Sequence, residues 1–169
     1  MSAPPPPAAL ARLALPDLDA TRAFAGAVAG VARRGDAIGL AGALGAGKTT
    51  FARAFVNARA AAAGGGPVEV PSPTFTLVQP YDIGDTVIHH FDLYRIERPE
   101  DALELGIEDA FADGIALVEW PDRLGPLLPQ GALLVTLLQG ASADARDAEI
   151  AGGAVWRARF GGTLDRFRA

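Results

Sequence analysis

The chain has 169 residues, 50% of them hydrophobic, and a formal net charge of −5; that length fits one domain with a core of its own. It contains no cysteine, which excludes a disulfide scaffold and any thiolate-held metal, and its acidic balance makes a poor stand-alone nucleic-acid binder, because neutralising phosphates drives that binding. No apolar run approaches the roughly 20 residues of a membrane span, so neither a membrane nor DNA is an expected partner, and the cytoplasm is the expected location.

Residues 1–9, with prolines at 4 to 7, read as a flexible leader without a secretory pattern, and residues 10–169 as a single domain. Leu10 to Leu15 is a first strand. Pro16 to Thr21 is a helix-start signal, and the apolar spacing predicts an amphipathic helix over Thr21 to Val31. Gly35-Asp36 is a turn and Ala37 to Ala41 a short buried strand. A glycine loop, Gly42 to Gly47, leads into a helix from Lys48 to about Ala62, which Gly64-Gly65-Gly66-Pro67 ends in a mobile stretch. Val68-Glu69-Val70 is a short strand. Pro71-Ser72-Pro73 forces extended backbone, and Thr74 to Tyr81 and Thr86 to Tyr94 form a hairpin across Asp82 to Asp85. Pro99 opens a helix whose stripe of Leu103, Ile107, Ala110 and Phe111 is broken at Gly106. Ile115 to Val118 is a continuous apolar run, the pattern of a central parallel strand, and ends in Glu119. Pro121 to Gln130 is loop. Leu133 to Leu138 and Ala148 to Ile150 are closing strands, and Ala154 to Phe160 fits strand or helix equally. The sum is an α/β fold, a P-loop NTPase-like sheet with a parallel core, flanking antiparallel strands and helices on both faces.

The glycine loop carries the chemistry. Gly42-x-x-x-x-Gly47-Lys48-Thr49 matches the P-loop pattern in full, between a strand and a helix as that pattern requires. Its glycines let the amides of Leu44, Gly45, Ala46 and Gly47 converge on phosphate oxygens at a helix N-terminus. Lys48 then lies against the β- and γ-phosphates, the Thr49 hydroxyl ligates Mg2+, and Thr50 reaches the α-phosphate. Lys48 is the only lysine beside 14 arginines. A planar guanidinium cannot replace a compact ammonium along a phosphate chain, so this lysine reads as chemically required.

Turnover needs a second, acidic element. Glu119 at the end of the buried strand is the first candidate, to hold the metal or orient a water, standing where many P-loop proteins use Asp. Asp92 in "HFDLYR" is the second. Ser72 and Thr74 offer hydroxyls that can sense a γ-phosphate as switch loops do. His89 and His90 read as packing or edge residues, Trp120 as a cover for the core, and Arg95 and Arg123 as solvated surface, with a phosphate- or partner-facing cation as the alternative for each arginine.

Together "GALGAGKTTFAR", "SPTFTLVQPY", "HFDLYR", "ELGIEDAF" and "LVEWPDR" are far more specific than a P-loop alone. In this order and spacing they resemble the bacterial TsaE (YjeE) family over Asp17 to Arg123. The resemblance implies an ATPase using ATP and Mg2+, accessory to tRNA threonylcarbamoyladenosine synthesis. It implies action with a TsaB–TsaD heterodimer, tRNA being met only through that complex. It assigns Lys48 and Thr49 to the P-loop, Asp92 to the acidic motif, Glu119 and Trp120 to the Glu-Trp pair and Ser72 to Thr74 to a switch. It places Asp17 near the nucleotide base. One departure is Ala43, where the family commonly carries Asp.

Rival readings are a small-molecule kinase of the shikimate-kinase type and a nucleotide-gated binding module with negligible hydrolysis. Such a kinase needs an acidic and arginine set for its acceptor soon after the P-loop helix and an arginine-bearing lid, where this chain has the low-complexity stretch Ala60 to Gly66 and a hairpin. A GTPase would need a second lysine to read guanine. The residues leave open which acid aligns the attacking water.

Overall fold

A computed structural model describes residues 5–168, so the first residues of the expected leader lie outside the described residues. The elements in chain order are β1 (Ala9–Leu15), α1 (Leu18–Val31), β2 (Ala37–Ala41), α2 (Lys48–Ala62), β3 (Val78–Ile83), β4 (Thr86–Asp92), α3 (Ile107–Asp113), β5 (Ile115–Glu119), β6 (Leu133–Gln139), β7 (Arg146–Ala151) and α4 (Ala154–Phe160). Short 3₁₀ segments cover Pro99–Leu105, Pro121–Leu127 and Asp165–Phe167. The strands make one seven-stranded sheet in the order β1-β7-β6-β2-β5-β4-β3. β6, β2, β5 and β4 are parallel neighbours. β7 and β1 extend the sheet antiparallel at one side, and β3 does so at the other. The expected parallel core with antiparallel flanks is therefore present.

The sheet follows from the apolar runs. Every residue of β5 and all but the last of β2 is buried, as a strand covered on both faces requires. Alternation then sorts the side chains. Ile38, Leu40, Ile115 and Leu117 meet Phe24, Phe51 and Phe55 of α1 and α2, with Trp156 and Phe160 of α4 in the same cluster. Phe24 packs edge-to-face on Phe51, with ring centroids 5.5 Å apart. On the opposite face Phe91, Ala116 and Val118 lie with Ile107, Ala110 and Leu124 from α3 and the 3₁₀ segments. Burying a side chain the size of Phe51 contributes about 1.5–3 kcal/mol.

Several local expectations need correction. Val68 to Val70 is not a strand. Its backbone is held by α2 side chains instead: the Asn57 amide donates to the Val68 carbonyl and accepts from the Val68 N–H, at 3.0 and 2.8 Å, and Arg53 donates to the Val70 carbonyl at 3.2 Å. The β-rich run from Thr74 starts as a turn, closed by the Leu77 N–H on the Pro73 carbonyl at 2.7 Å, with Leu77 at φ 67°; pairing begins only at Val78. The hairpin connection tightens to Gly84 and Asp85, and Gly84 takes the positive φ that such a turn demands. Pro121 onward winds into 3₁₀ turns rather than open loop. Ala154–Phe160 is helix, settled by Trp156 and Phe160 meeting the core one turn apart. The break at Gly106 occurs where the sequence placed it, with φ 75° ending one helical segment and starting the next.

Gly39 positions the site indirectly. It lies in mid-β2, and a Cβ there would stand 2.9 Å from the Pro121 ring and 2.7 Å from Leu134. The missing side chain lets the segment after β5 close down on the sheet. Gly39→Val overpacks this contact and is expected to lower stability by about 1–3 kcal/mol, read as a lower urea midpoint with an unchanged slope.

Candidate nucleotide site

The loop between β2 and α2 is shaped by its glycines. Gly42, Gly45 and Gly47 all have positive φ, at 145°, 80° and 104°. Gly42 also passes so close to β6 that a Cβ would lie 2.6 Å from the Leu137 carbonyl oxygen. Gly47 precedes α2 without a side-chain cap. The first amides of that helix stay open toward the cavity, the arrangement that receives an anion.

Lys48 is only 5% exposed. Its Nζ donates to the carbonyls of Gly42 and Ala43 at 2.8 and 2.7 Å and lies 4.4 Å from the centre of the Trp120 ring. Burial pushes the ammonium's pKa below its ordinary value, while the carboxylates of Glu119 and Asp92 oppose that shift. The Thr49 hydroxyl points across to the neighbouring strand end, 3.1 and 3.0 Å from the two oxygens of Glu119.

The acids meet here because of strand register. β4 and β5 are parallel, with Asp92 beside Glu119, so both side chains leave the same face at the C-terminal edge of the sheet, opposite the loop. Asp92 accepts from the Tyr94 N–H at 3.1 Å and from the Thr74 hydroxyl at 3.3 Å. Thr74 in turn lies 2.7 Å from the Ser72 hydroxyl. The two switch candidates are thus wired to the second acid. Loop, acids and switch surround one cavity of about 300 Å³, whose wall includes Leu44, Gly45, Thr50 and Tyr94.

Asp17 takes a different place from its neighbours. Its carboxylate caps α1, accepting from the Ala20 N–H at 2.8 Å, and it is Leu18 and Thr21 that line the cavity. Trp120 is not simply a core cover. It stands in the left-handed region at φ 61°, ψ 54°, a turn that lays its indole over Lys48. Arg95 and Arg123 stack on Phe75 and Tyr94.

Two residues escaped sequence reasoning. His90, read as packing, is wholly buried, and its Nε2 is 2.6 Å from Glu119. Since a carboxylate only accepts, Nε2 carries the proton and donates. The signal was present in the alternation of β4, which puts His90 on the same face as Asp92 and His89 on the other. Arg146 opens β7 on the far side of the sheet order, and its guanidinium borders the cavity and touches the loop. Nothing local in the sequence marks it.

The donors suit a hard cation. Thr49, Glu119 and Asp92 present oxygen only. Among the described residues no cluster of three or more His, Asp or Glu could hold a metal unaided. Mg2+ commonly binds through one or two carboxylates together with substrate phosphates and water, and the residues present fit that mode.

The fold is that of an α/β protein with a P-loop NTPase-like sheet, a parallel core flanked by antiparallel strands. Residues 15–148 match the family model described as threonylcarbamoyl adenosine biosynthesis protein TsaE, and the chain belongs to that family. It is similar to the tRNA threonylcarbamoyladenosine biosynthesis protein TsaE of Haemophilus influenzae, 42% identical over 58% of this chain and 60% of that one, so the match spans less than two thirds of that relative. It is also similar to the proteins of the same name from Rickettsia bellii, 37% identical over 69% of this chain and 78% of the relative, and Bacillus subtilis, 37% identical over 69% and 70%. The crystal structure of Bacillus subtilis YdiB superposes with a TM-score of 0.72 at 29% identity, covering 92% of this chain and 93% of that one. The family's place is in tRNA threonylcarbamoyladenosine biosynthesis. No helix among the described residues is long and apolar enough to cross a membrane.

The His90–Glu119 contact makes a direct prediction. His90→Leu removes the donor and leaves a buried carboxylate oxygen without it, which is expected to lower stability by about 1–3 kcal/mol. His90→Gln, which keeps an N–H donor, should recover part of that loss in the same urea titration.

Proposed function

We propose that the protein is the Mg2+-dependent, ATP-binding and ATP-hydrolysing subunit of tRNA threonylcarbamoyladenosine synthesis, acting with a TsaB–TsaD heterodimer. The observation that carries this reading is the Thr49–Glu119 contact, at 3.0 Å, with the Lys48 ammonium buried beside it. It sets a metal-competent hydroxyl and carboxylate against a loop built for phosphates. The acidic chain is a poor direct ligand for RNA, which supports a role where the partners carry the tRNA.

The chain's own residues divide the work. The amides of the loop and of the first turn of α2 receive the β- and γ-phosphate oxygens, and Lys48 turns from the loop carbonyls to those oxygens. Thr49 and Glu119 would hold Mg2+, with Asp92 close by; the ion's chemistry there is to neutralise charge on the phosphate oxygens. Fixed donors of this kind act on charge that develops in the transition state and need no reorganisation at the moment of reaction. The attacking water sits on the acid side of the cavity, where Glu119 or Asp92 orients it in line. Thr74 and Ser72 report on the γ-phosphate through Asp92, since the Thr74 hydroxyl must exchange partners if it turns to a ligand.

The test is steady-state ATP hydrolysis by the purified protein, alone and with TsaB–TsaD and tRNA. Slow turnover alone that rises with the partners, together with repeated rounds of tRNA modification, is the expected result. Fast turnover that ignores them, or phosphate transfer to a small acceptor, would replace this reading with the kinase. ATP binding without hydrolysis under any condition would leave a binding module.

Three variants sharpen the assignment. Lys48→Ala should abolish ATP binding in calorimetry. Glu119→Ala should retain ATP yet lose about 100-fold or more in turnover, the scale of removing a catalytic acid or base. Ala43→Asp restores the commoner family residue at a loop that binds mainly through backbone. It should change turnover more than ATP affinity, and an unchanged turnover number would count against a role for this position in hydrolysis.

A further inference from the structure

A loop that turns its amides toward phosphate must turn carbonyls away from it. The negative ends of those oxygens would oppose an anion close by unless a donor meets them, and a buried one left unpaired is costly besides. Two such carbonyls, of Gly45 and Ala46, meet one side chain. Arg146 donates from Nε to the Ala46 carbonyl at 2.7 Å and from one terminal nitrogen to the Gly45 carbonyl at 3.2 Å. Its other terminal nitrogen donates to the carbonyls of Ala143 and Ala145, at 2.7 and 2.6 Å, within the turn that joins β6 to β7. All three guanidinium nitrogens are engaged with backbone. The fork therefore pins the loop to a hairpin 100 residues away in the sequence.

Two more observations give the contact a direction. Arg146 has no carboxylate within ion-pair distance among the described residues. It also lines the cavity together with Leu18, Thr21, Gly47 and Thr50. It stands on the side away from Glu119 and Asp92, so its charge is not cancelled by the acids that face Lys48. Gly47 borders the same contact: a Cβ there would stand at ordinary van der Waals distance, 3.7 Å, from the Arg146 Nε, and the positive φ of 104° is what favours glycine at this position.

We propose that Arg146 is a further nucleotide-binding residue, which sets the phosphate loop in its receiving form from outside and adds an uncompensated cation beside it. This rests on the nucleotide reading above and goes beyond the loop motif, because the residue lies outside every motif that marks the site. It is a positioning residue first: it acts on phosphate through the Gly45 and Ala46 peptides. The class of ligand is a nucleoside di- or triphosphate, since both carry the phosphates that this part of the loop surrounds.

The experiment is calorimetric titration of ADP and of ATP into wild type, Arg146→Ala and Arg146→Lys, well below each variant's melting temperature, which is recorded in parallel. Arg146→Ala is expected to weaken both nucleotides by about tenfold or more, the scale of losing a charge-assisted hydrogen bond. ADP and ATP should be affected alike, because the contact is remote from the acids at the other side of the cavity. Arg146→Lys keeps the charge without the fork and should fall between the two. A lowered melting temperature with wild-type affinity in Arg146→Ala would make the residue purely structural and overturn the proposal. So would a loss confined to ATP, which would place Arg146 at the γ-phosphate. Wild type that binds neither nucleotide would overturn the nucleotide reading itself, and this proposal with it.

Discussion

A buried ammonium is the constraint around which the site is built. Lys48 comes at the first turn of α2, between an apolar strand and an apolar helix face, and it is nearly withdrawn from solvent. Such a charge must be given partners or lose its proton. Here it has two carbonyls of its own loop, an indole face and two nearby carboxylates. Burial still outweighs the carboxylates in the direction of its pKa. On the proposed function, a polyphosphate would bring negative charge to which the ammonium turns from its loop carbonyls. The only lysine in the chain is thus one whose environment favours a bound anion.

The sheet makes this possible by register rather than by loop length. In a parallel pair, adjacent residues leave the same face at the same height, so ending β4 and β5 on acids places both beside the loop without any further device. His90 then keeps one of them from wandering. It is buried two residues before Asp92 on the same strand and donates to Glu119 on the next, fixing the carboxylate that also meets Thr49. Residues of β4, β5 and α2 thereby share one small network.

The sequence made the central elements legible because each was over-determined. The β2 run, the glycines and Lys48 fix the loop together, and Ile115 to Glu119 could be little else but a covered strand. The fold class followed from those two strands and the hairpin. Expectations missed where tertiary contacts decide. Val68 to Val70 has the residues of a strand, but Asn57 takes up both backbone groups of Val68 and Arg53 the carbonyl of Val70, so α2 side chains hold the segment in place of a neighbouring strand. Thr74 to Leu77 is β-rich yet turns, because proline-bounded chain must reach Asp92 before β3 can begin. Asp17 shows the same limit at the site: the cap signal was visible, but not that capping would occupy its carboxylate while Leu18 and Thr21 face the cavity. Arg146 was invisible for the opposite reason. Its partners are backbone carbonyls, which carry no sequence pattern at all.

Trp120 shows how a local violation can be informative. A bulky residue in the left-handed region stores about 1–3 kcal/mol of strain, and glycine at that position would relieve it. Glycine, however, would leave the Lys48 ammonium without its aromatic face and Tyr94 without the ring it packs on, 5.0 Å away. The strain is held in place by the close descent of Pro121 onto Gly39, where the absence of a side chain admits the next segment. Strand, strained tryptophan and proline therefore form one unit: a glycine in β2 permits the turn, the turn aims the indole, and the indole covers the lysine. On this view the conformation after Glu119 is set by the needs of the site and not by the preferences of its own residues, and that is why it departs from the open loop that those residues imply.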